Sequence, residues 1–358
     1  MRDADLDLDP DLDLDLDLDL LAYIDALPKV ELHVHLEGSI VPALALRLAQ
    51  RRKIQLPGLG PEGAGSVEDL RRAYRFRSFR DFIAIYVGLS RCLDQAEDFC
   101  EAVLGIAEGL AAQNVRRAEM TFTPMTHVHQ GVDADAMLDG LAEGRRLALE
   151  RHGVDFAWVF DVVRSFPDQA APTLALALRA RERDGSVIAL GVGGPEGPDY
   201  PIDALAPVFA EAKAAGLRSV PHAGEQDGPA SVRANLERLQ ADRIGHGVRA
   251  IEDPALVAEL RERAIPLEVC PTSNVALGVY PSLADHPLPQ LLDAGLAVTL
   301  ASDDPPLFGT TLVDEYRRCA ATYGWDKAQL LAIAQAGVEH SFLDADRKRA
   351  LLAEQAAI

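Results

Sequence analysis

The stretch KVELHVH sets His33 and His35 two residues apart. On an extended strand that spacing turns both imidazoles to one face, and two neutral imidazoles side by side suit a divalent metal. The pattern H-x-H is weak by itself, because His127 and His129 repeat it between Pro124 and Gly131. We read that second pair as a loop feature. SVPHAGE offers His222 as a third ligand, and Glu225 follows three residues later, placed to act as a general acid or base on a water or a substrate nitrogen. RIGHG holds His246 between two glycines that let backbone approach a ligand. TLASDDPP supplies Asp303, which could complete a metal shell, and Asp304, which could point at substrate. Taken singly, each has a plain alternative: a hydrogen-bonded core histidine, a solvated turn or an N-cap. Taken together, His33, His35, His222 and Asp303 come from three separate strand ends, and coincidence is the poorer explanation.

The elements that must position these groups follow from the pattern. Short apolar or β-branched runs alternate with long Ala/Leu/Arg/Glu-rich stretches of helical period, as in repeated βα units. Eight strands are expected: Lys29–His35, Ala118–Phe122, Phe156–Asp161, Val187–Gly191, Arg218–His222, Arg243–His246, Pro266–Cys270 and Ala297–Ser302. No Gly-rich nucleotide fingerprint follows the first, which favours a closed (β/α)8 TIM barrel over a doubly wound sheet. The chemistry-bearing residues then fall at the C-terminal ends of strands, where barrels keep their active sites. Between the first two strands lies a long insertion with helical patterns at Val41–Arg52, Ser78–Leu93 and Asp94–Gln113, expected to cap that face. Leu312–Cys319 and Lys327–Ala345 read as closing helices. The fourth strand region, VIALGVGG, has no lysine of the kind that bridges two metals in binuclear barrel hydrolases, so a single ion is expected. Three imidazoles and a carboxylate suit Zn²⁺, which makes hydroxide available near neutral pH; Fe²⁺ or Co²⁺ could substitute.

Composition bounds the rest. The 358 residues are 48% hydrophobic and 25% charged, ordinary globular usage. Part of the formal charge of −21 sits at the start, where residues 3 to 19 carry nine Asp, mostly alternating with Leu. We expect residues 1–20 to form a disordered tail, because like charges on one face repel, and residues 21–358 to form a single barrel domain. So acidic a body disfavours nucleic-acid and anionic-membrane partners. Cys92, Cys100, Cys270 and Cys319 form no C-x-x-C pair, and neither a signal peptide nor a membrane span is visible, so a cytoplasmic setting is expected.

In order and spacing, PKVELHVHLEGSI, SVPHAGE, RIGHGV, LEVCPTSN and SDDPPLFGT resemble the adenosine deaminase family of the amidohydrolase superfamily, from Leu27 to about Leu343. The resemblance implies hydrolytic deamination of a 6-aminopurine, with one zinc per chain and release of ammonia. On matching positions it makes His33, His35, His222 and Asp303 the metal ligands, with His35 also facing substrate. Glu225 matches the acid that protonates purine N1, His246 the residue that orients the attacking hydroxide, Asp304 the carboxyl group at N7, and Gly194 the backbone N–H at N3. Two positions depart. Adenosine-specific members read HLDG, with Asp reaching the ribose 5′-hydroxyl, where this chain has Glu37, as in relatives that act on adenine or modified nucleosides; the longer side chain could equally touch a ribose, so Glu37 is a candidate substrate-binding residue. Adenine-specific members read RIDHG, where this chain has Gly245. GVGGPE and the longer stretches GLRSVPHAGE and IPLEVCPTSN resemble the aminodeoxyfutalosine deaminases of menaquinone biosynthesis, whose substrate bears a bulky group at the 5′ end. A 6-aminopurine nucleoside therefore ranks first, adenosine and aminodeoxyfutalosine close together, with adenine or an N6-substituted adenine behind. From a different class, a non-catalytic metal-stabilised binding barrel would have lost a proton-transfer residue, and an amide or lactone hydrolase would need no carboxylate for the purine. The expected partner is a small purine, in a monomer or homodimer.

Overall fold

The computed structural model describes residues 16–56, 65–76 and 78–358. Eight parallel strands run β1 (Lys29–His35), β2 (Val115–Phe122), β3 (Asp155–Val163), β4 (Val187–Gly193), β5 (Arg218–Ala223), β6 (Ile244–His246), β7 (Leu267–Val269) and β8 (Val298–Leu300). Their order in the sheet is their order in the chain, with helices between them, so the chain folds as a (β/α)8 barrel. The last three strands are shorter than their apolar runs suggested. Pro271 starts a helix directly after β7 (Pro271–Ala276) and Pro305 another shortly after β8 (Pro305–Phe308), at the first helical position, where proline costs nothing.

Closure is made by one of the residues singled out in the sequence. Asp303 bridges β8 to β1: the His35 N–H donates to the Asp303 carbonyl at 2.9 Å, and the Asp303 N–H donates to the His33 carbonyl at 3.1 Å. All seven residues of β1 are buried. Val30 and Leu32 pack outward with Val338 of the helix Lys327–His340, while Glu31, His33 and His35 take the other face. The barrel interior is unusually polar. Arg243 donates to Glu119 of β2 at 2.7 Å and to Glu268 of β7 at 2.5 Å, with its guanidinium 3.9 Å from the centre of the Phe342 ring.

The insertion after β1 holds the helices Pro42–Arg52, Val67–Tyr74, Phe79–Ser90 and Ala96–Ala112. Phe82, Ile83, Tyr86 and Val87 sit at helical spacing on the third and line the cavity above the barrel, so this part caps the C-terminal face. The fourth packs instead on β2 and on the helix Ala134–His152, as an ordinary member of the outer ring. His127 and His129 lie not in a loop but in the helix Pro124–His129, again started by a proline. At the N-terminus, residues 1–15 lie outside the described residues, and the helix Leu18–Ala26 begins inside the segment read as tail, with the Asp17 side chain accepting from the Asp19 N–H. After β8 come Leu312–Tyr323, Lys327–His340 and Ala345–Gln355. The cysteines are free, three of them buried.

The close seat of Ala134–His152 on Ala96–Ala112 depends on missing side chains. A Cβ on Gly140 would stand 2.3 Å from the Ala96 carbonyl oxygen, whereas one on Gly109 would meet nothing within 4 Å. Gly140→Ala should lower stability by about 1–3 kcal/mol through overpacking. Gly109→Ala should be neutral or raise it by up to about 1 kcal/mol through helix propensity. Urea unfolding of both variants checks this; equal effects would contradict the packing described.

Candidate active site

Four imidazoles gather at the C-terminal mouth of the barrel. His33 lies with its ring centre 5.4 Å from that of His35, 4.5 Å from His222 and 4.7 Å from His246. The His35 Nε2 stands 3.2 Å from the His222 Nε2 and 3.3 Å from Oδ1 of Asp303; the His33 Nε2 stands 3.6 Å from the same oxygen. These separations bracket the roughly 3.3 Å expected between ligands that hold a zinc ion tetrahedrally at about 2.0–2.1 Å. The His33 Nε2 is buried with no hydrogen-bond partner among the described residues, because its Nδ1 is engaged by Glu268 at 2.9 Å. Nitrogen and oxygen donors of this kind, buried and converging, fit a divalent metal. Among the described residues three triads have ligand atoms that all lie within 4.8 Å of one another: His33, His222 and His246; His33, Cys270 and Asp303; Glu225, His246 and Asp303; His35 belongs to none of them.

Proton occupancy follows from the surroundings. Burial pushes His35 down to about 4 and His246 down to about 3, and holds His222 well below the usual range, so these rings are neutral. For His33 burial also pushes downward, but the nearby Asp303 and Glu268 carboxylates outweigh it and hold the group up to about 10. The Glu225 carboxyl is pushed up to about 8 by burial, with the Asp303 and Glu196 charges adding to the effect. Burial, reinforced by the Asp303 charge, holds Asp304 well above the carboxylate range.

The two aspartates are neither a solvated turn nor a side-chain cap: both are buried, and Asp304 precedes Pro305–Phe308 without a side-chain capping bond. Ser273 donates to Oδ2 of Asp303 at 2.6 Å. Asp303 and His246 both take the left-handed backbone conformation, φ 65° and 59°, which is costly for side-chain-bearing residues and concentrates at functional sites. Asp304 leans into the space that Gly38 leaves open; a Cβ there would fall on its carboxyl.

A cavity of about 860 Å³ opens from these groups. His35, His222, Glu225, His246, Asp303, Asp304 and Gly194 reach its wall, the last with φ 87° just beyond β4. Glu37, expected among the substrate-binding residues, is not among those that line the cavity. Fully buried, it accepts from the Thr123 N–H at 3.1 Å, the Tyr86 hydroxyl at 3.0 Å and His127 Nε2 at 3.1 Å, so the cavity meets Tyr86 and Thr123 in its place. Gly245 is likewise constrained, since a Cβ there would lie 2.8 Å from Cε1 of His33.

Sequence reasoning passed over several residues that hold this arrangement. Glu196 accepts from three successive backbone N–H groups, those of Gly224, Glu225 and Gln226, at 2.8 to 3.2 Å, and from the Ser231 hydroxyl at 2.6 Å, pinning the turn that carries Glu225. Asp161 sits against Gly191 and Gly193, whose missing side chains make room for its carboxyl at the cavity wall. Glu268, Asn274 and Glu196 stood within quoted motifs, but nothing in one sequence separates them from framework. His286 stood in none. Gly38→Ala should displace the Asp304 carboxyl, cutting kcat/KM at least tenfold, on the order of what a misplaced site group costs. Steady-state kinetics at unchanged metal content checks this, and wild-type turnover would contradict it.

The family model for adenosine deaminase matches residues 28–357. The aminodeoxyfutalosine deaminase of Streptomyces avermitilis is 40% identical over 336 residues, covering 94% of this chain and 92% of that protein. The adenine deaminase of Cupriavidus necator is 40% identical over 337 residues, covering 94% and 93%. Among solved structures, an amidohydrolase from Burkholderia ambifaria with bound zinc superposes with a TM-score of 0.86 at 26% identity, over 97% of this chain and 94% of its own. With the match spanning the whole barrel, this chain belongs to the adenosine deaminase family and is a hydrolytic deaminase acting on C–N bonds.

Proposed function

We propose that the chain replaces the 6-amino group of a purine by oxygen, on a nucleoside whose 5′ end is extended, and that one zinc ion is held by His33, His35, His222 and Asp303. The bound ion lowers the pKa of a water so that hydroxide is available near neutral pH. His35 is the natural fourth ligand, since its Nε2 is close to both His222 and Asp303, whereas His246 stands 3.9 Å from the other Asp303 oxygen. His246 then faces the incoming oxygen and holds it by hydrogen bonding as C6 becomes tetrahedral, before the amino group leaves as ammonia. Glu225, protonated at neutral pH, gives its proton to N1, which makes C6 electrophilic. The protonated Asp304 carboxyl donates to N7, and the Gly194 N–H meets N3. Buried walls around these groups exclude bulk water from the amidine.

The observation that carries the substrate class is the cavity. About 860 Å³ is the size of a site for a drug-sized ligand, and a bare purine leaves most of it unfilled. Its outer part is framed by Ile83 and Phe166, two of the few exposed large hydrophobic side chains among the described residues. Glu37, spent on Thr123, Tyr86 and His127, makes no demand for a free 5′-hydroxyl, and Tyr86 presents its ring to that region. Aminodeoxyfutalosine, named for the Streptomyces relative, has this chemistry. Free adenine is the second reading, because the Cupriavidus adenine deaminase matches at the same 40% identity; against it stands Gly245, which has no room for a side chain beside His33.

Zinc-loaded protein should turn over aminodeoxyfutalosine with the highest kcat/KM in a panel with adenosine, adenine and an N6-substituted adenine, read as loss of absorbance near the purine band together with ammonia release. Preference for adenine would overturn the substrate assignment, and no turnover at all would favour a binding barrel. The acid form of Glu225 is populated below its raised pKa, so kcat/KM should fall as pH rises through about 8. Glu225→Gln should retain zinc but lose about 10²–10⁴-fold in kcat. Near wild-type turnover in that variant would remove Glu225 from the mechanism.

A further inference from the structure

Behind the cavity wall runs a chain of hydrogen bonds that reaches Glu225 and His246. The Leu288 N–H donates to Nδ1 of His286 at 3.2 Å. A backbone N–H can only donate, so that ring nitrogen carries no proton, and the neutral imidazole must carry it on Nε2. Burial pushes His286 down to about 3, which keeps the ring neutral throughout the working range. The His286 Nε2 stands 3.1 Å from the side-chain oxygen of Asn274 and therefore donates to it. This holds the Asn274 amide with its oxygen toward His286 and its nitrogen toward Glu225 and His246. The Asn274 Nδ2 then faces two acceptors: Oε1 of Glu225 at 3.1 Å and Nδ1 of His246 at 3.3 Å. Those two acceptors are 3.7 Å apart, too far to bond to each other.

We infer that Asn274, oriented by His286, is a positioning residue that fixes two protons at once: the one on His246 at Nε2, facing Asp303 and the reaction centre, and the one on Glu225 at Oε2. The inference rests on the roles proposed above for Glu225 and His246, and it deepens them. An imidazole with its proton on Nε2 can donate a hydrogen bond to the attacking oxygen but cannot accept a proton from it through that nitrogen. A carboxyl group with Oε1 occupied as an acceptor keeps its acidic proton on the other oxygen. The amide has one donor end with two hydrogens, and both are used. Asparagine satisfies this at a buried position, whereas aspartate, which only accepts, would invite the His246 proton to Nδ1.

The test is the proton position itself. Full-length zinc-loaded protein labelled with ¹⁵N-histidine, with His246 assigned from the signal lost in His246→Gln, reports the tautomer through two-bond ¹H–¹⁵N correlations. The wild-type protein should show His246 protonated on Nε2. In Asn274→Asp the proton should move to Nδ1, with zinc retained, kcat lowered about 100-fold and KM changed little. His286→Leu removes the donor that orients the amide and should give both His246 tautomers. His246 protonated on Nδ1 in the wild-type protein would overturn the inference; so would Asn274→Asp with the Nε2 proton and kcat unchanged. The tautomer is read without substrate, so an inactive substrate panel would defeat the proposed function while this reading stood or fell on its own.

Discussion

One hydrogen bond decides how the centre is built: Glu268 takes the Nδ1 side of His33 and leaves Nε2 bare toward Asp303. A ring with its proton held on one nitrogen offers the other as a ligand in a fixed direction, which is how buried carboxylates orient metal-binding histidines. Burial works against an ionised Glu268 inside the barrel, but Arg243 and His33 outweigh it, and Arg243 in turn is shared with Glu119 and stacked on Phe342. Arg117 continues the chain from Glu119 to Asp155, where Arg347 also arrives. Where a barrel of this kind is ordinarily filled with branched apolar side chains, this one spends part of its core on an ionic column. Such a column gains little net stability over an apolar core, since desolvation offsets most of the attraction, but breaking one partner leaves a buried charge unpaired. Its effect is directional: it ties the orientation of a ring at the mouth to charges deep in the barrel.

Closure and chemistry are coupled at the other edge. The residue that completes the ladder between β8 and β1 is Asp303, so the carboxylate that faces the imidazoles is set by main-chain bonds to His33 and His35. Its left-handed backbone, like that of His246, is a strained conformation that the surrounding bonds enforce. The site is thus held in place on the side of the imidazoles and Asp303, on the Glu225 turn held by Glu196, and on the Asn274 side. The helix Phe79–Ser90 and the exposed Phe166 frame the opposite, more open side, where a substituent on the purine would lie.

Much of this was legible in the sequence for simple reasons. Period-two spacing put His33 and His35 on one face, and ligand-type residues after apolar runs marked strand ends, so the eight strands and the residues they converge were recoverable. The remainder depends on contacts that no local pattern encodes. His127 looked like an incidental repeat of H-x-H, yet it closes on Glu37 from 90 positions away and withdraws that carboxylate from the cavity. His286 carries no motif, and its importance exists only through Asn274. Arg243, Glu119 and Glu268 read as ordinary strand residues, because a charge inside a barrel is visible only when its partner on another strand is known. The start of the helix at Leu18 was hidden by the alternation of Asp and Leu, which matches no helical period, although Asp17 caps it.

The account stands on three imidazoles and one carboxylate holding a single ion, and X-ray absorption at the zinc edge of protein loaded to saturation tests this directly. The predicted result is one zinc per chain with only nitrogen and oxygen neighbours at about 2.0–2.2 Å. A sulfur neighbour at about 2.3 Å, which the grouping of His33, Cys270 and Asp303 would give, or a second ion per chain, would contradict it.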